Sequence, residues 1–277
     1  MTSSNVVSGV LLDVDGVLVV SWEALPGARE SLEWLRREQV PFLLATNTTT
    51  ASRSTLADKL RKAGLQVEPA EIVTAPVITA SYLRAHHPGA RCFLLAKGDV
   101  AADLEGIEFS DSDADVVVIA GAEEAFSYEN LNRAFRMLRD GAALVAMHRN
   151  ISWMTAEGAK LDAGPYVTAL EEATGVHATV VGKPSTQFFM QAVDLLGVPA
   201  ESVAMVGDDI ASDVLAAQAA GLTGVLVRTG KFTEESLARS ETQPHHVIDS
   251  ISGITSLLGG RSAGHREGSA DAPSPDR

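Results

Sequence analysis

The sequence is poor in the residues that several common kinds of protein need. It has a single cysteine, Cys92, so neither an intrachain disulfide nor a zinc site built from cysteine thiolates is predicted. Cys92 lies in the apolar run Cys92-Phe93-Leu94-Leu95, which favours a packing role over a nucleophilic one. No apolar stretch approaches the roughly 18 residues that a membrane-spanning helix requires. A chain embedded in a membrane is therefore not predicted.

Positive charge is also scarce. The 22 lysines and arginines are outnumbered by 36 aspartates and glutamates, which leaves a net charge of -14. Such an acidic surface argues against nucleic acid and anionic membranes as partners, and an anionic substrate would need a metal ion or local cations. The amino terminus lacks the positively charged segment of a signal peptide, and Asp13 and Asp15 interrupt its first apolar run. The expected compartment is the cytoplasm.

What the sequence does contain is a regular alternation of strand and helix patterns. Hydrophobic residues make up 45 %, which is enough to build a sizeable core. The order of elements predicts an α/β fold whose parallel sheet is joined by right-handed crossovers. Strands are predicted at 9–13, 40–45, 91–95, 115–119, 143–146, 179–181, 203–206 and 224–227. Helices are predicted at 28–38, 52–63, 128–139, 166–174, 186–196 and 213–220.

The first predicted strand ends in two closely spaced carboxylates, Asp13 and Asp15, followed by Gly16. Residues two apart in an extended chain point to the same side, so both carboxylates could face one site. The carboxyl end of a parallel strand is where open α/β sheets bind ligands, and glycine allows the backbone to turn closely around one. A strand followed by an acidic turn without a function is the alternative.

Three later strand ends also carry polar residues. A hydroxyl and an amide at Thr46 and Asn47 suit phosphate binding, although both are ordinary loop residues. Lys183 could neutralise an anion, or it could be a solvated lysine before a helix. Three carboxylates closely follow the strand at 203–206, which suggests a shared site. Alternatively, Asp213 could cap the next helix and Asp209 could be solvated. These three are Asp208, Asp209 and Asp213.

If these strand ends converge, several carboxylates share one site. Two unit charges 4 Å apart repel by roughly 4 kcal/mol at an effective dielectric constant of 20, so the cluster needs a cation. The motifs contain neither histidine nor cysteine, and purely oxygen ligands favour Mg²⁺ held by one or two carboxylates together with substrate phosphate. The sequence therefore predicts a Mg²⁺ site.

Taken in chain order, the four polar segments that follow the predicted strands resemble the four motifs of the haloacid dehalogenase (HAD) phosphatase superfamily. The long insertion between the second and third motifs is similar to the class IIA, NagD-like branch, which has a C2-type cap. Further segments resemble the phospholysine phosphohistidine inorganic pyrophosphate phosphatase group and its domain-containing relatives. The four motifs are Asp13-x-Asp15-Gly16-Val17, Thr46-Asn47, Lys183-Pro184 and Gly207-Asp208-x-x-x-x-Asp213. The further segments are Phe126-Ser127-Tyr128-Glu129-Asn130, Gly164-Pro165-Tyr166, Val181-Gly182-Lys183-Pro184-Ser185 and Arg228-Thr229-Gly230-Lys231.

The resemblance implies a Mg²⁺-dependent phosphatase acting on small phosphorylated metabolites. Asp13 would be the nucleophile and Asp15 the acid and base. Mg²⁺ would be held by Asp13, Asp208 and the carbonyl of Asp15, with Asp209 and Asp213 in support. Phosphoryl oxygens would bind Thr46, Asn47, Thr48 and Lys183, where Thr48 replaces the asparagine common in the branch. Pyrophosphate and the P–N bonds of phosphoamino acids are further candidate substrates.

The resemblance also implies a division of the chain. A Rossmann-like core would comprise residues 1–78 and 179–258, a cap would comprise 79–178, and 259–277 would be a disordered tail. Trp153, in a polar segment of the cap, is a candidate substrate contact, with a cap core or subunit interface as its alternative role. A homodimer through the cap is a further prediction. The competing functions are a phosphoacceptor that keeps its phosphate and a catalytically idle phosphate-binding module.

Overall fold

The computed structural model describes residues 7–155 and 158–259, which form two parallel sheets surrounded by helices. The strands are β1 (Gly9–Leu12), β2 (Val19–Val20), β3 (Glu23–Ala24), β4 (Phe42–Thr46), β5 (Ile72–Thr74), β6 (Arg91–Leu95), β7 (Glu108–Phe109), β8 (Val116–Ile119), β9 (Ala143–Ala146), β10 (Ser152–Thr155), β11 (Gly158–Leu161), β12 (Thr179–Val180), β13 (Val203–Gly207), β14 (Thr223–Val227) and β15 (His246–Ile248). The helices are α1 (Ala28–Arg37), α2 (Arg53–Lys62), α3 (Ala75–His86), α4 (Tyr128–Arg139), α5 (Ala163–Thr174), α6 (Thr186–Leu196), α7 (Ala216–Ala219), α8 (Glu234–Arg239) and α9 (Ile254–Gly259).

The larger sheet has six strands in the order β15-β14-β13-β1-β4-β5, and every pair in it is parallel. β1 lies at its centre because its four residues, Gly-Val-Leu-Leu, are all buried and carry no polar side chain. From β1 the chain continues outward to β4 and β5 on one side, and later to β13, β14 and β15 on the other. This reversal creates a crevice at the carboxyl ends of β1, β4 and β13.

The second sheet is inserted between the two halves of the first. Its five strands lie in the order β12-β9-β8-β6-β7, again all parallel. β8 is its buried centre, as expected from the run Val116-Val117-Val118-Ile119. The prediction of an α/β core with an inserted α/β cap is thus confirmed.

Both faces of the larger sheet are packed, which explains its continuous apolar strands. Val10 and Leu12 lie in one hydrophobic cluster, whereas Leu11 lies in another that continues into the cap and includes Val116 and Val118. Each fully buried side chain of this size contributes about 1.5–3 kcal/mol. The same apolar cluster therefore holds the cap against the core.

Several element boundaries differ from those predicted. The strand before Lys183 is not a buried core strand. β12 is a two-residue edge of the cap sheet in which Thr179 is exposed and Val180 half-buried, and among the described strands it pairs with β9 alone. The predicted helix over 213–220 is a π-helical turn, Ile210–Leu215, followed by the short α7. The patternless segment at 147–163 contains the antiparallel hairpin β10–β11.

The predicted division of the chain can be compared with these elements. The boundary at 78/79 falls inside α3, and residues 179–180 belong to the cap sheet. The predicted tail, 259–277, lies outside the described residues from 260 onward. Among the described helices, none is both long enough and apolar enough to cross a bilayer.

Candidate active site

The crevice of the larger sheet collects the polar residues that follow its central strands. Asp13 comes directly after β1, Asp208 comes directly after β13, and Thr46 is the last residue of β4. Since β1 pairs with both β4 and β13, these three positions are neighbours across the sheet edge. All three side chains are buried. Buried carboxylates are rare unless they have a partner, so the burial of Asp13 and Asp208 indicates a functional site.

Lys183 reaches this edge from the segment after β12 and is itself only 4 % exposed. Its Nζ donates to Asp13 Oδ1 at 2.7 Å and to the carbonyl of Ala45 at 2.9 Å. It also forms an ion pair of 2.7 Å with Asp213 Oδ1. One buried ammonium thus joins residues from both halves of the larger sheet, and the interpretation of Lys183 as a solvated residue is wrong.

Asp208 is held through one of its two carboxylate oxygens. Oδ2 accepts the backbone N–H of Lys231 at 2.7 Å, whereas Oδ1 is buried and accepts no hydrogen bond from the described residues. Gly16 packs directly against this carboxylate: a Cβ there would lie 1.9 Å from Oδ2, and its φ is +82°. Only glycine meets both conditions, so Gly16 brings the loop after β1 against Asp208.

The two acids after Asp208 have roles opposite to their simplest interpretation. Asp209 begins the π-helical turn, where its side chain accepts the N–H groups of Ala211 and Ser212 at 3.1 and 3.0 Å. Asp213 is 2 % exposed and pairs with Lys183. The wide turn directs it back toward the strand end, and its Oδ2 accepts the Asp209 N–H at 3.3 Å. Asp209 therefore shapes the turn, while Asp213 belongs to the charged cluster.

Burial shapes the protonation behaviour of this cluster. Loss of water raises the pKa of Asp13, Asp208 and Asp213 to about 6 each, against an ordinary value of 3.8. For Asp13 and Asp213, the charge of Lys183 opposes that rise. Burial would lower the pKa of Lys183, but the carboxylates of Asp13 and Asp213 outweigh burial and raise it. Lys183 is therefore a buried cation shared by Asp13 and Asp213, while Lys231 acts against the rise in the pKa of Asp208.

The loop after β4 is tied down by its own side chains. The Thr46 hydroxyl accepts the N–H of Thr48 at 3.1 Å and lies 3.0 Å from the Thr48 hydroxyl. The Asn47 side chain binds the backbone of Lys183 through both amide atoms, at 2.8 and 2.9 Å. Asn47 therefore fixes the position of Lys183, and it can offer a phosphate its backbone N–H rather than its side chain.

Asp15 differs from the other acids because its side chain is exposed. It is not among the carboxylates that crowd together, and no hydrogen bond to its carboxylate is found in the described residues. Partial loss of water nevertheless raises its pKa, against the lowering effect of Lys183, Lys231 and Lys59. A carboxyl group that is accessible, unengaged and easier to protonate has the properties of a general acid.

The residues present are suited to a divalent cation. Asp13, Asp208 and Asp213 each place a carboxylate oxygen within 4.8 Å of the other two. Within the described part of the chain, the buried Oδ1 of Asp208 has no hydrogen-bond partner, and a buried carboxylate oxygen in that state is costly unless a cation meets it. Asp13 and Asp213 each bind Lys183 through Oδ1, so Asp208 Oδ1 is the oxygen of this set that most needs a cation. An all-oxygen donor set suits Mg²⁺.

Two further features bear on the site. Thr229 donates its hydroxyl to the Gly16 carbonyl and Lys231 binds Asp208, so the segment Arg228–Lys231 supports the strand-end loops. The motif Arg-Thr-Gly-Lys was the sequence signal for this support. Trp153 lies on β10 with its side chain 42 % exposed, and no described contact links it to the acidic cluster.

Known proteins are similar to this chain along most of its length. Residues 10–110 match the haloacid dehalogenase-like hydrolase family, and residues 180–254 match a HAD-hydrolase-like family. The haloacid dehalogenase-like hydrolase domain-containing protein 2 of Bos taurus is 39 % identical over 251 residues, covering 91 % of this chain and 95 % of that protein. The human phospholysine phosphohistidine inorganic pyrophosphate phosphatase is 36 % identical over 258 residues, covering 91 % and 94 %.

Solved structures agree with these relatives. The 4-nitrophenylphosphatase of Thermotoga maritima superposes with a TM-score of 0.86 at 31 % identity, covering 91 % of this chain and 97 % of that one. NagD from E. coli K-12 superposes with a TM-score of 0.82 at 25 % identity, covering 89 % and 98 %. The chain therefore belongs to the haloacid dehalogenase-like hydrolases and, with its NagD-like neighbours, is a phosphohydrolase.

Proposed function

We propose that this chain is a Mg²⁺-dependent phosphatase that hydrolyses small phosphorylated metabolites through an aspartyl phosphate on Asp13. One observation carries the proposal: in the buried cluster Lys183 binds Asp13, while Asp208 Oδ1 accepts no hydrogen bond from residues 7–155 and 158–259. In a chain of net charge -14, a fixed lysine and a cation are what an anionic substrate needs at this edge.

In the first step, a carboxylate oxygen of Asp13 attacks phosphorus. The bond from phosphorus to the leaving oxygen breaks, and Asp15 donates a proton to that oxygen. The raised pKa of Asp15 keeps a larger share of it protonated before the step. Phosphoryl oxygens bind the hydroxyls of Thr46 and Thr48, the backbone N–H of Asn47 and the ammonium of Lys183.

In the second step, the ionised Asp15 takes a proton from a water molecule, whose oxygen attacks the phosphorus of the aspartyl phosphate. The bond between phosphorus and the Asp13 oxygen breaks, which releases inorganic phosphate and restores the Asp13 carboxylate. Lys183 remains bound to Asp213 throughout, so its charge stays fixed while charge moves on the phosphoryl group. Positioning of this kind supplies most of the catalysis in phosphoryl transfer.

Asp13, Asp208 and the carbonyl of Asp15 would hold Mg²⁺. When bound, the ion offsets the negative charge of the phosphoryl oxygens and of the carboxylates around them. Asp213 would hold Lys183, and Asp209 would keep the turn that presents Asp213. Burial raises the pKa of both Asp13 and Asp208 although Lys183 opposes the rise, so a further positive charge would stabilise their ionised forms.

The proposed substrates are phosphomonoesters, the class that the names of the nitrophenylphosphatase neighbours indicate. Pyrophosphate and the P–N bonds of phosphohistidine and phospholysine are further classes, by analogy with the relative named for them. A proton from Asp15 would matter most for the nitrogen of a P–N bond and for an alkyl oxygen, which are poor leaving groups as anions. Parallel assays of inorganic phosphate release from an aryl phosphate, pyrophosphate and phosphohistidine would rank the classes.

We keep the division into core and cap as a proposal, with residues 179–180 moved to the cap because they pair with β9. The role of Trp153 as a substrate contact stays a prediction, and so do a homodimer through the cap and a cytoplasmic location. Replacement of Trp153 by alanine tests the first: KM for the preferred substrate should rise while kcat with an aryl phosphate is retained.

The decisive experiment replaces Asp13 by asparagine. With p-nitrophenyl phosphate and Mg²⁺, the Asp13→Asn variant should lose turnover by at least ~10³-fold, because the amide cannot form the phosphoenzyme. Acid-quenched wild type given ³²P-labelled substrate should carry label, and the variant should not. Asp194→Asn, an exposed acid on α6, is the matched control and should keep wild-type activity.

The same assay separates the competing functions. A phosphoacceptor would take up one equivalent of phosphate and stop, whereas a phosphatase releases many equivalents of inorganic phosphate per chain. An idle binding module would bind inorganic phosphate without any turnover. Retained turnover in a folded Asp13→Asn variant would exclude Asp13 as the nucleophile.

A further inference from the structure

A second buried polar cluster lies beside the proposed site, and the chemistry above does not use it. It joins Thr49, in the loop after β4, to His148, directly beyond β9 of the cap sheet. His148 is 2 % exposed and Thr49 is 3 % exposed, so both are sealed from solvent. The two side chains lie 3.0 Å apart, between Thr49 Oγ1 and His148 Nε2, although 99 residues separate them in the chain.

The direction of these hydrogen bonds follows from the partners. The backbone N–H of Asn150 donates to His148 Nδ1 at 3.3 Å, so Nδ1 carries the lone pair. In the neutral ring the proton is then on Nε2, which donates to Thr49 Oγ1. Burial lowers the pKa of His148, against the opposing effect of Asp162, whose Oδ1 lies 3.6 Å from Nε2. Thr49 Oγ1 also accepts the N–H of Gly121 at 2.8 Å.

The loop of residues 46–50 is anchored mainly by the inserted part of the chain. Asn47 is bound by the backbone of Lys183, and Thr49 is bound by Gly121 and His148. The carbonyl of Thr50 lies so close to Gly98 that a Cβ there would be 2.0 Å from it. Three of these anchors, Gly98, Gly121 and His148, belong to the cap, whereas Lys183 belongs to the core. The conformation of the loop therefore depends on where the cap sits.

We propose that His148 is a positioning residue that acts through Thr49: its Nε2–H holds the loop of residues 46–50 in the conformation that receives the substrate's phosphoryl group. This inference rests on the proposed function, because it assigns the loop to phosphate binding. A loop displaced by about 1 Å can cost up to ~10²-fold in rate, so one buried contact from the cap is enough to matter. His148 itself does not touch the substrate.

Two amide substitutions separate the two contacts of the imidazole ring. In His148→Gln, the side-chain amide can reach the Nε2 position and keep a donor toward Thr49. In His148→Asn, the shorter side chain can keep only an acceptor at the Nδ1 position for the Asn150 N–H. The proposal expects His148→Asn to lose ~10- to 100-fold in kcat with p-nitrophenyl phosphate and to weaken inhibition by inorganic phosphate similarly. His148→Gln should retain most of both.

The partner position supplies a second, independent comparison. Thr49→Ser keeps the hydroxyl and should retain activity, whereas Thr49→Val removes it and should resemble His148→Asn. Because both changes break one contact, the Thr49→Val, His148→Asn double variant should lose little more than the worse single variant. Melting temperatures of all variants define an assay temperature at which each is folded, so the kinetic comparison is made between folded proteins.

The inference is overturned if the glutamine and asparagine variants behave alike, or if His148→Asn keeps the kcat and phosphate inhibition of the wild type. It is also overturned if the effects at positions 49 and 148 simply multiply. A purely structural histidine would lower the melting temperature without separating the two amides in kcat. Wild-type protein without turnover would instead refute the proposed function, so the two failures are distinguishable.

Discussion

The two parallel sheets of this molecule differ in the residues that follow the carboxyl ends of their strands. In the core sheet, strands β1, β4 and β13 are followed by Asp13, Asn47 and Asp208. In the cap sheet, β6, β8 and β9 are followed by Ala96, Ala120 and Met147. Both sheets bury their central strands on both faces and use the same crossovers. Parallel architecture therefore supplies an edge at which a ligand can bind, and the residues just beyond the strands decide whether one does.

The two edges also differ in the burial and the ion pairs of a lysine. Lys183 at the core edge is buried and bound to two carboxylates, whereas Lys97 at the cap edge is exposed and paired with Glu123 at 2.5 Å. The first must be charged for the acids around it to be tolerated, because desolvated charges need a partner. The second pairs in water, where the ion pair is screened. Lysine is thus a buried partner of two carboxylates beside one sheet and an exposed partner of Glu123 beside the other.

The sharpest test of this contrast replaces Lys183 by methionine. We expect the largest effect here: a loss of about 3–5 kcal/mol in the free energy of unfolding at pH 7.5, because Asp13 and Asp213 lose their shared buried partner. Turnover of an aryl phosphate should fall by at least ~10³-fold. Chemical denaturation and initial-rate assays measure the two. A variant as stable as the wild type would contradict the view that Lys183 balances buried charge.

Asp208→Asn should have an intermediate effect of opposite sign on stability. The folded-state pKa of Asp208 is raised to about 6 from 3.8, so its ionisation destabilises the protein without metal as pH rises through this range. In EDTA above pH 6, the variant should therefore be more stable than the wild type by at most about 3 kcal/mol. The gain should fade toward pH 4, where the wild-type carboxyl is protonated as well.

Two controls accompany the Asp208→Asn measurement. Addition of Mg²⁺ should raise the melting temperature of the wild type and leave that of the variant nearly unchanged, because binding stabilises only the protein that binds. Asp209→Asn should give no stability gain at any pH. Although burial opposes it, hydrogen bonds from the N–H groups of Ser212 and Ala211 lower the pKa of Asp209. A gain for Asp209→Asn equal to that for Asp208→Asn would contradict the charge argument.

The smallest expected effect is that of Lys97→Met, the counterpart of Lys183→Met in the cap sheet. Its ion pairs with Glu123 and Glu124 lie at the surface, so the melting temperature and kcat should stay within experimental error of the wild type. Side-by-side melting curves and aryl phosphate assays measure both. A loss of activity approaching that of Lys183→Met would mean that the cap edge takes part in the chemistry.

Much of the fold could be predicted where one face of an element is apolar. The helix at 128–139 was predicted with the observed ends, and the helix at 28–38 begins at the observed residue. By contrast, α3 and β5 were not predicted. α3 is buried on most of its surface and so lacks a clear apolar stripe, and β5 has only three residues. The antiparallel strand pair β10–β11 was missed because its residues carry little apolar alternation.

At the site too, some features could be predicted from the sequence, whereas others depend on tertiary contacts. The positions of Asp13, Thr46, Lys183 and Asp208 after predicted strands suggested one shared site, and the order of the four motifs resembled one family. The different roles of Asp209 and Asp213 could not be predicted from the sequence, because they depend on a π-helical turn that directs one carboxylate inward. The use of Asn47 to hold Lys183 was equally hidden, as it joins positions 136 residues apart.

The sequence by itself determined the class of this protein: the apolar strands, the acids that follow them and the order of the four motifs are properties of neighbouring residues. Only the tertiary structure decided which of those residues contact one another, including the buried lysine between two carboxylates and the cap histidine that binds Thr49. The physical reason is that hydrophobic periodicity is short-ranged along the chain. Hydrogen bonds, burial and charge pairing depend on which distant segments the folded core brings together.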